Sequence, residues 1–441
     1  MSWEKLLMLE GLESSKADLQ RSQFERDFDR IIFSAPFRNL QDKTQVFPLP
    51  ENDFVHTRLT HSLEVSSVGR SLGKSAGIFL LKKYPNLKKK GLVSSDIGAI
   101  VAAAALAHDI GNPPFGHAGE EGISDFFKFH SKGVIWKSKV KENQWADLVN
   151  FEGNAQGFRM LVDKNNGLNI SDPALAAFTK YPRATHLLEA TPNRKSQKKF
   201  GFYSNNIPDF QRLAFNLGVP ALSSQSWIRH PLAFLVEAAD DICYSIIDLE
   251  DGCTLGLIPL EQTIELLAEI VGDKYSPSKL EKYKSPRQKL AIMRAMAINQ
   301  LIIETETVFE EMEEKMLSGQ FDLALTAIIP SRVCLEKISQ LSVDKIYRSQ
   351  PVLEKEAAGF QVLEGLLSCF SEALYHFHFD NGHFSGHNKS IIRLLPQDFD
   401  LKTQTDPYLI LRILLDFLSG MTDKYALSLF RRVKGISLPG Q

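Results

Sequence analysis

The stretch SDIGAIVAAAALAHDIGNPPFGHAGEE, residues 95–121, decides how the chain folds. Ile97, Ile100, Val101, Ala104, Ala105 and Ala107 recur at the three- and four-residue spacing of a helix, and Ser95-Asp96 supplies its cap. Alanine makes this helix nearly featureless, so that it can pack tightly in an interior. His108-Asp109 ends it, and Ile-Gly-Asn-Pro-Pro-Phe-Gly-His then forces a sharp turn. A lone His-Asp pair is expected by chance roughly 0.6 times in such a chain, so the doublet carries weight only through its context. A capping aspartate beside a hydrogen-bonded core histidine is the bland alternative.

Outward from this stretch the same helical spacing dominates. Pro231 to Glu250 reads as a helix opened by proline, where the missing N–H costs least. Leu260 to Tyr375 reads as helices broken near Pro277, Pro286 and Pro330. The fold class is mainly α. Residues 189–209 (EATPNRKSQKKFGFYSNNIPD) predict a long loop or a small hairpin inserted between helices, with a basic run at Arg194–Lys199. A second polar stretch, 380–389, separates two helical blocks, and His376, His378, His383 and His387 cluster there without matching a strong metal template. The expected division is a core with its N-terminal segment over residues 1–260, followed by a helical C-terminal domain over 261–441.

Composition narrows the function. The chain has 441 residues with 51 Lys+Arg against 53 Asp+Glu, a formal net charge of −2, which argues against a wholesale polyanion binder but not against a small anionic ligand. Four scattered cysteines without a C-x-x-C pair read as buried thiols in a reducing compartment. Met1 to Gln20 lacks a signal-peptide core, and Ile97 to Ala107 is far shorter than the ~20 residues of a membrane span. The expected location is therefore cytoplasmic, with no membrane partner.

Two further segments give the His-Asp doublet its context. In Thr57-Arg58-Leu59-Thr60-His61, Arg58 lies one helical turn before His61, and an arginine beside a metal ligand is costly unless an anion arrives to meet it. In the 231–250 helix, Asp240, Tyr244 and Asp248 fall at i, i+4 and i+8, a polar stripe on an otherwise apolar helix. Carboxylates are seldom buried there unless paired or bound to metal.

His61, His108-Asp109 and Asp240 together resemble the H…HD…D signature of HD-domain phosphohydrolases. The surrounding phrases resemble the deoxynucleoside triphosphate triphosphohydrolase branch, the bacterial dGTPase-like family. They are FRNLQDKTQVF (37–47), RLTHSLEV (58–65), AHDIGNPPFGHAGEE (107–121), NFEGNAQGFR (150–159), HPLAFLVEAADDICYSIIDLEDG (230–252) and LDFLSGMTDKYALSLFRR (415–432). The resemblance implies an HD-domain helical bundle core. It also implies one divalent ion on His61, His108, Asp109 and Asp240. This mixed N/O donor set suits Mn²⁺ or Mg²⁺, with Ni²⁺, Fe²⁺ or Co²⁺ also compatible, better than structural zinc.

The activity implied is hydrolysis of a deoxynucleoside triphosphate, dGTP or several dNTPs, at the α-phosphate, releasing nucleoside and inorganic triphosphate. By position, His117 oriented by Glu120 is the expected general acid. Arg58 is expected at a phosphate, Tyr244 under the deoxyribose, Asp248 on the 3′-hydroxyl, and Gln45 with Val46 at base and sugar. Asn154 is expected at the site. The resemblance further implies a homo-oligomer, tetramer or hexamer, and in some members an activating nucleotide. Another HD phosphohydrolase activity, or a nucleotide-sensing or single-stranded nucleic-acid-binding role, is the alternative reading. Base preference depends on a pocket built from distant segments and is not legible.

Overall fold

A computed structural model describes residues 1–8, 21–45, 56–186, 194–380, 385–396 and 404–437. The helices that build the site are, in chain order, α1 (Arg58–Lys83), α2 (Ser94–Ala107), α3 (Gly116–Phe129), α4 (Gly153–Val162) and α5 (Asp172–Phe178). They are followed by α6 (Pro231–Thr254), α7 (Leu260–Val271), α8 (Pro286–Leu317), α9 (Arg332–Ser342), α10 (Gln350–Phe379), α11 (Pro407–Ser419) and α12 (Asp423–Val433). The mainly α expectation holds. Among the described residues the only strands are β1 (Ala221–Ser223) and β2 (Ser226–Trp227), an antiparallel pair in which Ala221 faces Trp227.

The alanine-rich α2 lies against α1 because α1 carries glycines at four-residue spacing on the facing side. A Cβ at Gly73 would sit 2.8 Å from the Ile97 carbonyl, and one at Gly77 2.8 Å from the Ser94 carbonyl, so only glycine permits this approach. The N-cap of α2 is Val93, two residues before Ser95. Asp96 Oδ2 instead accepts from the Val93 N–H at 2.9 Å from inside the first turn. Pro231 opens α6, and Pro277 and Pro286 open the helices that follow α7.

Two apolar clusters result. The larger joins α1, α2 and α6 to α7, α8 and α9 through residues such as Leu72, Val101, Leu235, Ile246, Leu301 and Ile338. The second joins α3 to α10 and α11 through Phe127, Trp136, Leu363, Leu366, Leu411 and Leu415. Packing therefore does not divide at residue 260: α7, α8 and α9 share the core of the preceding helices, and α3 shares that of the C-terminal ones. α10 packs along α3, with Phe360 and Leu363 against Gly119 and Gly122, and α12 meets the start of α3 through Asp423 and the Phe115 N–H.

Of the two alternatives for 189–209, a long loop or a small hairpin, the described part, residues 194–209, takes the loop. That part forms turns at Lys195–Gln197 and Ser204–Asn206, and a hairpin lies downstream at β1 and β2. The cause is side-chain anchoring. Arg194 pairs with Asp322 at 3.1 Å, and Ser196 Oγ donates to the same carboxylate at 2.7 Å, which leaves no ladder for a strand. All four cysteines are free thiols. Among the described residues, no helix is long and apolar enough to cross a membrane.

Candidate active site

Three segments converge at the end of α2. Thr57 caps α1, its side chain accepting from the Thr60 N–H, which places Arg58 and His61 in the first turn. His108 and Asp109 follow the last residue of α2, and Asp240 projects from the middle of α6. His61 Nε2 lies 3.2 Å from Asp240 Oδ1; His108 Nε2 lies 3.6 Å from both Asp240 Oδ1 and Asp109 Oδ2. Donor atoms of His61, His108 and Asp109 all lie within 4.8 Å of one another, the one such group of potential metal ligands among the described residues. Described histidines of the 376–387 cluster form no such group. His376 pairs with Asp380, and His383 lies outside the described residues.

The orientation of each donor fits a cation. His108 Nδ1 donates to the Ala105 carbonyl at 2.7 Å, which turns Nε2 toward Asp109 and Asp240. Asp109 Oδ1 accepts from Arg58 Nη1 at 2.5 Å and from Asn112 Nδ2 at 2.7 Å. Asp109 Oδ2 is buried with no hydrogen-bond partner, a costly state for a carboxylate oxygen unless a cation satisfies it. Burial favours the neutral acid at Asp109 and Asp240, but the cationic neighbours win. Arg58 and His108 hold Asp109 below the usual carboxylate range, and His108 with His61 does so at Asp240.

His117 and Glu120 stand at the start of α3, with His117 Nδ1 3.3 Å from Glu120 Oε2. His117 is 78% exposed and faces the cleft, whereas Glu120 is buried, its Oε1 accepting from the Gly153 N–H at 2.7 Å. Burial raises the proton affinity of Glu120, but His117 and Lys199 outweigh it and keep the acid ionised. The pair therefore has the arrangement of an imidazole oriented by a fixed carboxylate.

A cleft of about 520 Å³ opens in front of these groups, large enough for a nucleotide. Gln45, Arg58, His117, Glu120, Asn154, Asp240 and Tyr244 all line it. Val46 lies outside the described residues. Asn154 lines the cleft while its Nδ2 donates to Glu152 Oε1 at 2.7 Å, so it also braces a neighbouring carboxylate. Asp248 is 2% exposed and sits behind the cleft wall, where its Oδ2 accepts from the Tyr347 hydroxyl at 2.5 Å. Burial pushes the Asp248 carboxyl up to about 7.

The sequence reading missed several cleft residues. Tyr347 stacks on Tyr244 with ring centroids 5.9 Å apart and presents the hydroxyl in front of Asp248. It ends a five-residue π-turn, Val343–Tyr347, which no sequence pattern announces. Lys180 and Lys199 line the cleft opposite the His-Asp doublet. Lys180 and Lys195 share the buried Glu237 carboxylate, at 3.4 and 3.0 Å, and Arg229 pairs with it from beneath at 2.5 Å. The basic run was visible at 194–199; its convergence on Glu237 was not, because the partners lie about 40 residues apart.

Comparison with known proteins agrees with this geometry. Residues 58–150 match the HD domain, and residues 333–432 match the phosphohydrolase-associated domain. A deoxyguanosinetriphosphate triphosphohydrolase-like protein of Pseudomonas aeruginosa is 38% identical over the whole of both chains. One of Synechocystis is 37% identical, covering 99% of this chain and all of the relative. The deoxyguanosinetriphosphate triphosphohydrolase of Salmonella typhimurium is 30% identical over 94% of each. With the H…HD…D residues gathered at one cleft, the chain belongs to the deoxyguanosinetriphosphate triphosphohydrolase-like family of HD-domain hydrolases.

Proposed function

We propose that the protein hydrolyses deoxynucleoside triphosphates at the α-phosphate, releasing a deoxynucleoside and intact inorganic triphosphate, with one divalent ion, Mn²⁺ or Mg²⁺ before Ni²⁺, Fe²⁺ or Co²⁺. The observation that carries this reading is the buried, unpartnered Asp109 Oδ2 set among His61, His108 and Asp240. When bound, the ion would supply Lewis-acid polarisation of the α-phosphate and favour deprotonation of the attacking water.

The chain's own groups account for the rest. Arg58, Lys180 and Lys199 surround the cleft and offset the negative charge of a triphosphate, Arg58 through a fork that matches two phosphate oxygens. His117 is exposed toward the cleft and held by Glu120, a placement suited to giving a proton to the departing 5′ oxygen. Tyr244 and Tyr347 form an aromatic wall for the deoxyribose, with Asp248 acting on the 3′-hydroxyl through the Tyr347 hydroxyl. Gln45 and Asn154 complete the base and sugar side.

The test is a panel of the four dNTPs, singly and in pairs, with Mn²⁺, resolved by chromatography. Nucleoside and triphosphate in equal amounts are expected. Diphosphate, monophosphate or pyrophosphate would contradict the reading, and acceleration only in mixtures would identify an activating nucleotide.

A further inference from the structure

We infer that Asp423, together with Lys43, is a positioning clamp through which the C-terminal helices hold the catalytic turn in its working shape. The inference rests on the triphosphohydrolase reading, and nothing in that reading assigns either residue a part.

Asp423 opens α12 and is 1% exposed. Its two carboxylate oxygens serve different segments. Oδ1 accepts from the Phe115 N–H at 3.0 Å; Oδ2 accepts from the Thr44 N–H at 3.0 Å and from the Thr44 hydroxyl. Phe115 needs the help, because it is a bulky residue at φ +64°, followed by Gly116 at φ +58°. Such a left-handed conformation is strained for a residue with a Cβ and persists only where surroundings over-determine it. The second restraint is also C-terminal: a Cβ at Gly359 of α10 would lie 2.8 Å from the Phe115 side chain, so only glycine leaves the ring its seat. Two residues after Phe115 comes His117, whose orientation therefore depends on this turn.

Lys43 is the other arm. It is 4% exposed, and its ammonium donates to the Asn112 carbonyl at 2.7 Å and the Ser419 carbonyl, at the end of α11, at 2.5 Å. Asn112 in turn donates to Asp109 Oδ1 at 2.7 Å, fixing which oxygen of Asp109 is left for a cation. The Lys43 carbonyl accepts from the Arg58 N–H at 3.2 Å, and Thr44 pairs with Thr57, so the same segment also seats the first turn of α1. Burial draws the Lys43 ammonium down to about 7, partly offset by Asp423, so this lysine is not there for its charge on the surface. The clamp thus has two outputs: Asp423 acts through Phe115 on His117, and Lys43 acts through Asn112 on Asp109.

Two near-isosteric variants separate these outputs. D423N brings an amide N–H₂ against either the Phe115 or the Thr44 N–H while keeping the volume. A misplacement of catalytic groups by about 1 Å costs on the order of 100-fold, so kcat should fall roughly 30- to 100-fold. KM for dGTP, and Mn²⁺ affinity measured without substrate by electron paramagnetic resonance, should stay within about threefold. K43M should weaken Mn²⁺ binding about tenfold in the same resonance titration, the usual penalty for losing an outer partner of a ligand, with most of the lost rate recovered at saturating Mn²⁺.

A merely structural brace predicts otherwise: both variants would lose kcat in proportion to the unfolded fraction, with metal affinity per folded molecule unchanged, and that pattern would overturn the clamp. Wild-type kcat in D423N together with wild-type Mn²⁺ affinity in K43M would do the same. If D423N melts below the assay temperature, the K43M titration alone decides, a shift supporting the clamp and its absence refuting it. Failure of the wild-type protein to release triphosphate would instead refute the functional reading, while the Mn²⁺ titration would still test the clamp.

Discussion

Arg58 Nη1 donates to Asp109 Oδ1 at 2.5 Å, which leaves Asp109 Oδ2 buried and unpaired beside His108. One side chain therefore selects which oxygen of the aspartate is left free for a cation and, by its place in the cleft, offers its remaining donors to an anion. Replacement with lysine keeps the charge but removes the fork. Arg58→Lys is expected to lower kcat/KM for dGTP about 100-fold, measured by steady-state kinetics at saturating Mn²⁺; a loss under threefold would remove Arg58 from the phosphate site.

His117 and Glu120 act as one unit if Glu120 serves to orient the imidazole. His117→Ala should lower kcat by roughly 10²–10⁴ and Glu120→Gln by roughly tenfold to 100-fold. The double variant should be no slower than His117→Ala alone, because the carboxylate has nothing left to orient. Additive losses in this cycle would mean that Glu120 has an independent role.

Tyr347 stacks on Tyr244 and covers Asp248 at one wall of the cleft, the wall assigned to the sugar in the proposed function. Tyr347→Ala should relax rejection of the 2′-hydroxyl, lowering the dGTP to GTP ratio of kcat/KM at least about tenfold. An unchanged ratio would place the 2′ contact elsewhere.

His230 gives a pH prediction for the fold. It is fully buried at the N-terminus of α6, its Nδ1 accepting from the Leu232 N–H at 3.1 Å while Nε2 reaches the Leu6 carbonyl at 3.3 Å. Burial lowers its proton affinity to about 4 from 6.5, so the unfolded chain binds the proton more tightly. Its contribution is fully present above pH 6.5 and is lost as pH falls toward 4, on the order of 3 kcal/mol across that window. The stability difference between wild type and His230→Asn, from urea unfolding, should therefore narrow between pH 6.5 and 4. A constant difference would show that His230 is not buried neutral.

Much of this site was legible along the chain because its candidate metal ligands sit in short, self-announcing segments. His61, His108, Asp109 and Asp240 each lie at a helix end or on a polar stripe, and the helical period carries them to one place. The glycine stripe that lets α1 meet α2 was equally present in the sequence at 69, 73 and 77, but it acquires meaning only once the partner helix is known. Asp248 shows the limit of the stripe argument. Spacing put it on the Asp240 face, yet Tyr347, almost 100 residues on, stands between it and the cleft. Lys180 had no local signal, and Asp423, although it falls within the 415–432 phrase, had none for its role, since both roles depend on which distant segment packs beside them. The choice between loop and hairpin at 189–209 has the same origin, because basic and turn-forming residues announce a loop without announcing that Asp322 and Glu237 will hold it.

The central claim is water attack at the α-phosphate with the triphosphate leaving intact. Hydrolysis of dGTP in ¹⁸O-labelled water with Mn²⁺, read by ³¹P resonance and mass spectrometry, tests it most directly. The account predicts one ¹⁸O in an end phosphate of inorganic triphosphate and none in deoxyguanosine; label in orthophosphate or pyrophosphate, or in the 5′-hydroxyl of the nucleoside, would contradict it.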